Sequence, residues 1–98
     1  MITVTECAAA GLYRLLEYHE APHGQGVKLR ACCKGGIGMT IDKPGEGDKV
    51  IWRHGRPLLV IDRGVVEFLE GTVLHCESME IGGQRGMRFH LQSAGRRG

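Results

Sequence analysis

The stretch Gly26-Val27-Lys28-Leu29-Arg30-Ala31-Cys32-Cys33-Lys34-Gly35-Gly36-Ile37-Gly38-Met39-Thr40-Ile41-Asp42 decides how the rest of the chain is read. Val27, Leu29 and Ala31 alternate with Lys28 and Arg30, the period of a strand with one covered face. Gly35, Gly36 and Gly38 then predict a turn, and a second strand follows it. Two thiols, Cys32 and Cys33, stand where the first strand ends. On a straight strand Cys33 would point inward and Cys32 outward, so the two could not easily grip one ion together. A glycine turn relaxes this by admitting positive φ and letting the backbone curl around a small ligand or a partner chain.

Toward the N-terminus, Ile2 and Val4 read as a short extended segment, with Thr5 as helix N-cap and Glu6 in the first turn. From there to about Glu20, Ala8, Leu12, Leu15, Leu16 and His19 fall on one stripe, with Glu6, Arg14 and Glu17 off it. The pattern predicts an amphipathic helix docked on a sheet. Cys7, in its first turn, has two readings, a thiol whose pKa the helix dipole lowers and, preferred, a small residue packed near the helix start, and His23 falls in a loop.

Toward the C-terminus, Lys43-Pro44-Gly45-Glu46-Gly47-Asp48 predicts an irregular connection. Val50 to Arg53 and Pro57 to Ile61 read as two strands around a His54-Gly55 turn, with Trp52 packed. Asp62 is placed to cap a short second helix, Arg63 to Glu70, with Val65, Val66, Phe68 and Leu69 on its apolar side and Gly71 as its stop. Thr72 to Cys76 and Ser78 to Ile81 return to strand. A turn from Gly82 to Gly86 leads into a strand whose Met87, Phe89 and Leu91 alternate inward while Arg88 and His90 face out. The expected fold class is α+β: mostly antiparallel or mixed strands, one N-terminal helix and one short second helix.

With 98 residues, the chain is expected to form one domain over residues 1–92, followed by a disordered basic tail over residues 93–98. Its 42% hydrophobic and 24% charged content is ordinary for a soluble protein, and no apolar run is long enough for a membrane helix. The N-terminus lacks the basic start and apolar core of a signal peptide, so a cytoplasmic location is expected. There, thiols stay reduced, and four cysteines read as thiols or ligands and not as a disulfide framework. A net charge of +2, with few aromatic residues and no basic stripe, argues against a nucleic-acid partner. Phosphate-loop, Gly-x-Ser-x-Gly and CxxC patterns are all missing, and no enzyme activity is expected.

Ile2-Thr3-Val4-Thr5-Glu6-Cys7-Ala8-Ala9-Ala10, Gly26-Val27-Lys28-Leu29, Gly38-Met39 before a strand, Val60-Ile61-Asp62 leading to Glu67-Phe68-Leu69-Glu70-Gly71-Thr72, and Gly86-Met87-Arg88-Phe89 occur in that order. In order and spacing they resemble the HesB-like, or IscA-like, iron–sulfur biosynthesis family over nearly the whole chain. The resemblance implies a compact α+β fold and an A-type carrier that binds iron or an iron–sulfur cluster and passes it to apo-proteins, as a dimer or larger oligomer. Carriers of that family have a cysteine where this chain has Gly36, and a Cys-Gly-Cys where it has Gly95-Arg96-Arg97-Gly98. A shorter branch, with adjacent cysteines just before Gly-Met and no C-terminal Cys-x-Cys, is more similar. Its Cys-Cys-Gly-Pro turn corresponds to Cys32-Cys33-Lys34-Gly35, with Lys34 and Gly35 departing from Gly-Pro.

The expected ligands for iron or a [2Fe–2S] cluster are therefore Cys32 and Cys33, with Cys76 as a further candidate and Lys34, Gly35, Gly36 and Gly38 shaping the turn. Clusters are commonly held by four thiolates, so two adjacent thiols imply a homo-oligomer, with two-fold pairing supplying the set. The implied partners are apo iron–sulfur proteins or a cluster-assembly scaffold. Two other readings remain open: a thiol redox pair at Cys32-Cys33, strained because the residues are adjacent, and an interaction module without metal chemistry.

Overall fold

The computed structural model describes residues 2–32 and 35–93. The elements in order are β1 (Thr3–Val4), α1 (Glu6–Tyr18), β2 (Gly26–Ala31), β3 (Ile37–Asp42), β4 (Lys49–Arg53), β5 (Arg56–Ile61), β6 (Thr72–Ile81) and β7 (Gln84–Ser93). They build two sheets, one ordered β1-β6-β7 and the other β3-β2-β5-β4. The chain divides into two compact units, Leu12–Phe68 and the combination of Met1–Gly11 with Leu69–Gly98. The α+β expectation holds, with one helix among the described residues.

Unit Leu12–Phe68 is organised by β2. It pairs antiparallel with β3 from Gly26↔Asp42 to Ala31↔Ile37 and parallel with β5 from Val27↔Leu59 to Leu29↔Ile61. The inward alternation is realised at Val27 and Leu29, at 1% and 2% exposure. It ends there, because Ala31 is exposed. Strand β5 lies between β2 and β4, and Leu58 to Ile61 are all buried, as expected of a central strand covered on both faces. Burying each of these side chains contributes about 2 kcal/mol, before the cost of ordering the chain.

The His54-Gly55 turn forms as expected between β4 and β5, with φ of +53° and +76° at its two residues, the left-handed pair of a tight hairpin. Trp52 is not packed. The β4–β5 pairing shifts register between Ile51 and Trp52, and Trp52 is 59% exposed on this edge strand. Such an irregularity re-aims a side chain.

The expected second helix is not formed either. Residues 63 to 71 run as successive turns. Gly64 and the β-branched Val65 and Val66 are weak helix formers, and eight residues are too few to offset a costly nucleus. Asp62 does cap the segment, its Oδ2 accepting the Gly64 N–H at 3.0 Å and its carbonyl the Val65 N–H at 2.9 Å. Val65 is buried as expected, and Phe68 is exposed.

In the other unit β6 pairs parallel with β1 and antiparallel with β7 along ten residue pairs, from Thr72↔Ser93 to Ile81↔Gln84. The expected break at Glu77 is absent, and the turn shrinks to Gly82 and Gly83, both with positive φ. Ser93 is the last residue of β7 and not the start of a tail, and residues 94–98 lie outside the described residues. On one face His75 stands opposite His90, ring centroids 5.8 Å apart, and His90 Nε2 lies 3.1 Å from a Glu77 carboxylate oxygen.

Helix α1 starts as expected. Thr5 Oγ1 accepts the Ala8 N–H at 3.1 Å, and the Thr5 N–H donates to the Leu74 carbonyl, extending the β1–β6 pairing into the cap. Ala8, Ala9, Leu12 and Leu16 form its buried stripe. His19 lies beyond the helix end and is exposed, so the stripe stops one turn earlier than its spacing suggests.

Candidate metal-binding site at the hairpin tip

Cys32 follows β2 directly, and its backbone is held at both polar groups. Its N–H donates to the Gly36 carbonyl at 2.8 Å, and its carbonyl accepts the Gly35 N–H at 3.0 Å. The second bond closes a four-residue turn in which Gly35 adopts φ +89°, a conformation that disfavours any side chain. A Cβ added at Gly35 or Gly36 would have no described atom within 4 Å, and one at Gly38 would reach only the Cys32 Cβ, at 3.9 Å. The Cys32 thiol is thus free and exposed on a backbone fixed by two hydrogen bonds. Cys33 and Lys34 lie outside the described residues.

Cys32, Gly35, Gly36 and Gly38 are brought together at one tip. Cys76 is on β6 in the other unit and is 2% exposed. Burial pushes its thiol above the ordinary cysteine range, and the neighbouring Cys7 adds to the effect. Cys7 donates its S–H to the Cys76 carbonyl at 2.8 Å. Sequence analysis missed this pairing of Cys7 with Cys76. The signal was non-local, because residues 69 apart meet only once β1 has paired with β6.

The base of the same hairpin is an ionic anchor. Lys28 Nζ lies 3.0 Å from Asp48 Oδ2, with the carboxylate side chain only 3% exposed. Asp48 also accepts the Gly45 N–H at 2.7 Å and the Arg63 N–H at 2.9 Å. Burial pushes this carboxyl up, but the hydrogen bonds from Gly45, Lys28 and Arg63 outweigh it and hold the group below the ordinary carboxylate range. Among the described residues no three His, Cys, Asp or Glu side chains are grouped so as to hold a metal ion.

SufA of Escherichia coli, described as involved in the biosynthesis of iron–sulfur clusters, superimposes with a TM-score of 0.58 at 24% identity, over 91% of this chain and 83% of its own. IscA, solved with a [2Fe–2S] cluster, superimposes with a TM-score of 0.54 at 21% identity, over 92% of this chain and 84% of its own. This chain has the fold of SufA and IscA. No family model matches the chain, and no curated protein does. The SufA and IscA fold is the α+β arrangement that the ordered motifs from Ile2 to Phe89 implied. No helix described here is long and apolar enough to cross a membrane.

Proposed function

We propose that this chain is an iron or iron–sulfur cluster carrier that loads its cargo at the β2–β3 tip through the thiolates of Cys32 and Cys33. The observation that carries the proposal is the exposed Cys32 thiol, held on a hydrogen-bonded turn where a Cβ added at Gly35 or Gly36 would meet no described atom within 4 Å. The likeness in fold to SufA and to a cluster-bound IscA supports the same reading. A [2Fe–2S] cluster takes four thiolates. Two copies of this chain related by a two-fold axis supply them, each copy contributing an adjacent pair. The cargo would pass on to apo iron–sulfur proteins by thiolate exchange, for which an exposed tip is suited and a buried one is not. No catalytic turnover is assigned. Cys76, buried beside Cys7, is left out of the ligand set.

Anaerobic reconstitution with iron and sulfide, read by visible absorption, metal analysis and sedimentation, tests the proposal on the native chain and on Cys32→Ser, Cys33→Ser and Cys76→Ser. The expected outcome is about one cluster per two chains, lost in either tip variant and kept in Cys76→Ser. No uptake by the native chain, or uptake indifferent to both tip substitutions, would overturn it. A reversible two-electron titration of the tip thiols without metal would put the redox reading in its place.

A further inference from the structure

Cys7 and Cys76 make up a second pair of thiols, contained within one compact unit. Cys7 is exposed in the first turn of α1, and Cys76 is buried on β6. The two are held in register by the parallel β1–β6 pairing, by the Thr5 N–H donated to the Leu74 carbonyl at 3.1 Å, and by the Cys7 S–H donated to the Cys76 carbonyl at 2.8 Å. A Cβ at Gly11, one turn on from Cys7, would stand 3.1 Å from Cys76 Sγ, 3.2 Å from Met87 Sδ and 2.9 Å from the Phe89 ring, so this face of α1 lies directly against the buried thiol.

We propose that Cys7 and Cys76 form a dithiol site for hydroperoxides, which oxidise the pair to a disulfide joining the start of α1 to β6. The exposed Cys7 thiolate attacks the peroxide O–O bond, giving a sulfenic acid at Cys7 and releasing the alcohol, or water when the oxidant is hydrogen peroxide. The Cys76 sulfur then attacks the Cys7 sulfur, the S–O bond breaks, and the hydroxide leaves as water with the Cys76 thiol proton. Two thiols are oxidised by two electrons, and one peroxide is reduced. Burial raises the Cys76 pKa and keeps that group as a thiol shielded from solvent, which makes Cys7 the point of first attack and Cys76 the resolving partner. Reduction by an external dithiol restores the pair.

The sequence makes the test direct. Cleavage after lysine and arginine places Cys7 in the peptide 1–14, Cys32 with Cys33 in 31–34, and Cys76 in 64–85. The reduced full-length chain is treated with hydrogen peroxide, denatured in acid with an alkylating agent, digested without reductant and analysed by mass spectrometry. The expected product is peptide 1–14 joined to 64–85 with the loss of two hydrogens, resolved by dithiothreitol. It should persist when Cys32 and Cys33 are both changed to Ser. Cys7→Ser, a substitution at an exposed position, should abolish it and leave Cys76 alkylatable. Accumulation of Cys7 sulfinic acid with Cys76 still a free thiol would overturn the proposal. Exclusive linkage of peptide 31–34 to either of the others would do so as well.

Discussion

The two ends of the β2–β3 hairpin are built on opposite principles. At the base, an added Cβ on Gly26 would meet the Pro57 carbonyl oxygen at 2.7 Å and the Pro57 and Leu58 carbonyl carbons at 3.0 and 3.2 Å, so two backbones touch there. Lys28 and Asp48 tie the same end by a shielded ion pair. At the tip, Gly35 and Gly36 face open space among the described atoms, and Cys32 is held by a pair of main-chain hydrogen bonds. Glycine at the base is there because nothing larger fits, and glycine at the tip because the turn needs its conformation or leaves room for a guest. A hairpin rigid at one end and uncrowded at the other suits a site that must hold cargo and release it.

The contrast can be broken most severely at Gly26. Gly26→Ala forces backbone against backbone and is expected to cost about 3 kcal/mol, measured by urea denaturation. A cost no larger than that of an exposed substitution would show that the base is not close-packed. Next comes Asp48→Asn, which strands the Lys28 ammonium and is expected to cost about 2 kcal/mol at neutral pH.

The pH dependence of that second loss has a definite sign. The folded-state pKa of Asp48 is depressed, so its contribution is complete above the unfolded carboxylate pKa and is lost as pH falls through the folded one. The gap in stability between the native chain and Asp48→Asn should therefore narrow below about pH 4. A gap that widened on acidification would refute the assignment. Smaller again is Gly35→Ala, where the positive φ costs about 1 kcal/mol without a clash, to be read as a modest fall in melting temperature. Gly36→Ala and Cys32→Ser mark the lower limit. Both are expected to stay within about 0.5 kcal/mol of the native chain, so that any loss of cluster uptake in Cys32→Ser reports on ligation and not on folding.

Much of the hairpin was legible in the sequence. Alternation at Val27 and Leu29 placed β2, and three glycines placed the turn that begins at Cys32, because each signal lies within a few residues of the others. The short helix after Asp62 was misjudged for a related reason. Val65 and Leu69 have helical spacing and are both buried, but Gly64, the β-branched pair and the side chains of Asp48 and Asp62, which take the first N–H groups, favour turns. Trp52 shows the same limit, since composition favours burial of tryptophan and only the β4–β5 register shift turns it outward.

By itself the sequence determined the local features: the Thr5 cap, the α1 stripe as far as Leu16, the tight turn at His54-Gly55, and the strand and glycines of the hairpin. Tertiary structure alone decided which distant residues meet: Gly26 against the Pro57 backbone, Asp48 with Lys28 and the Arg63 N–H, and Cys7 with Cys76. The division has a physical cause. Hydrogen bonding and φ preferences act over three or four residues and are printed in the order of the chain. Strand pairing across tens of residues, by contrast, is selected by the packing of the whole core.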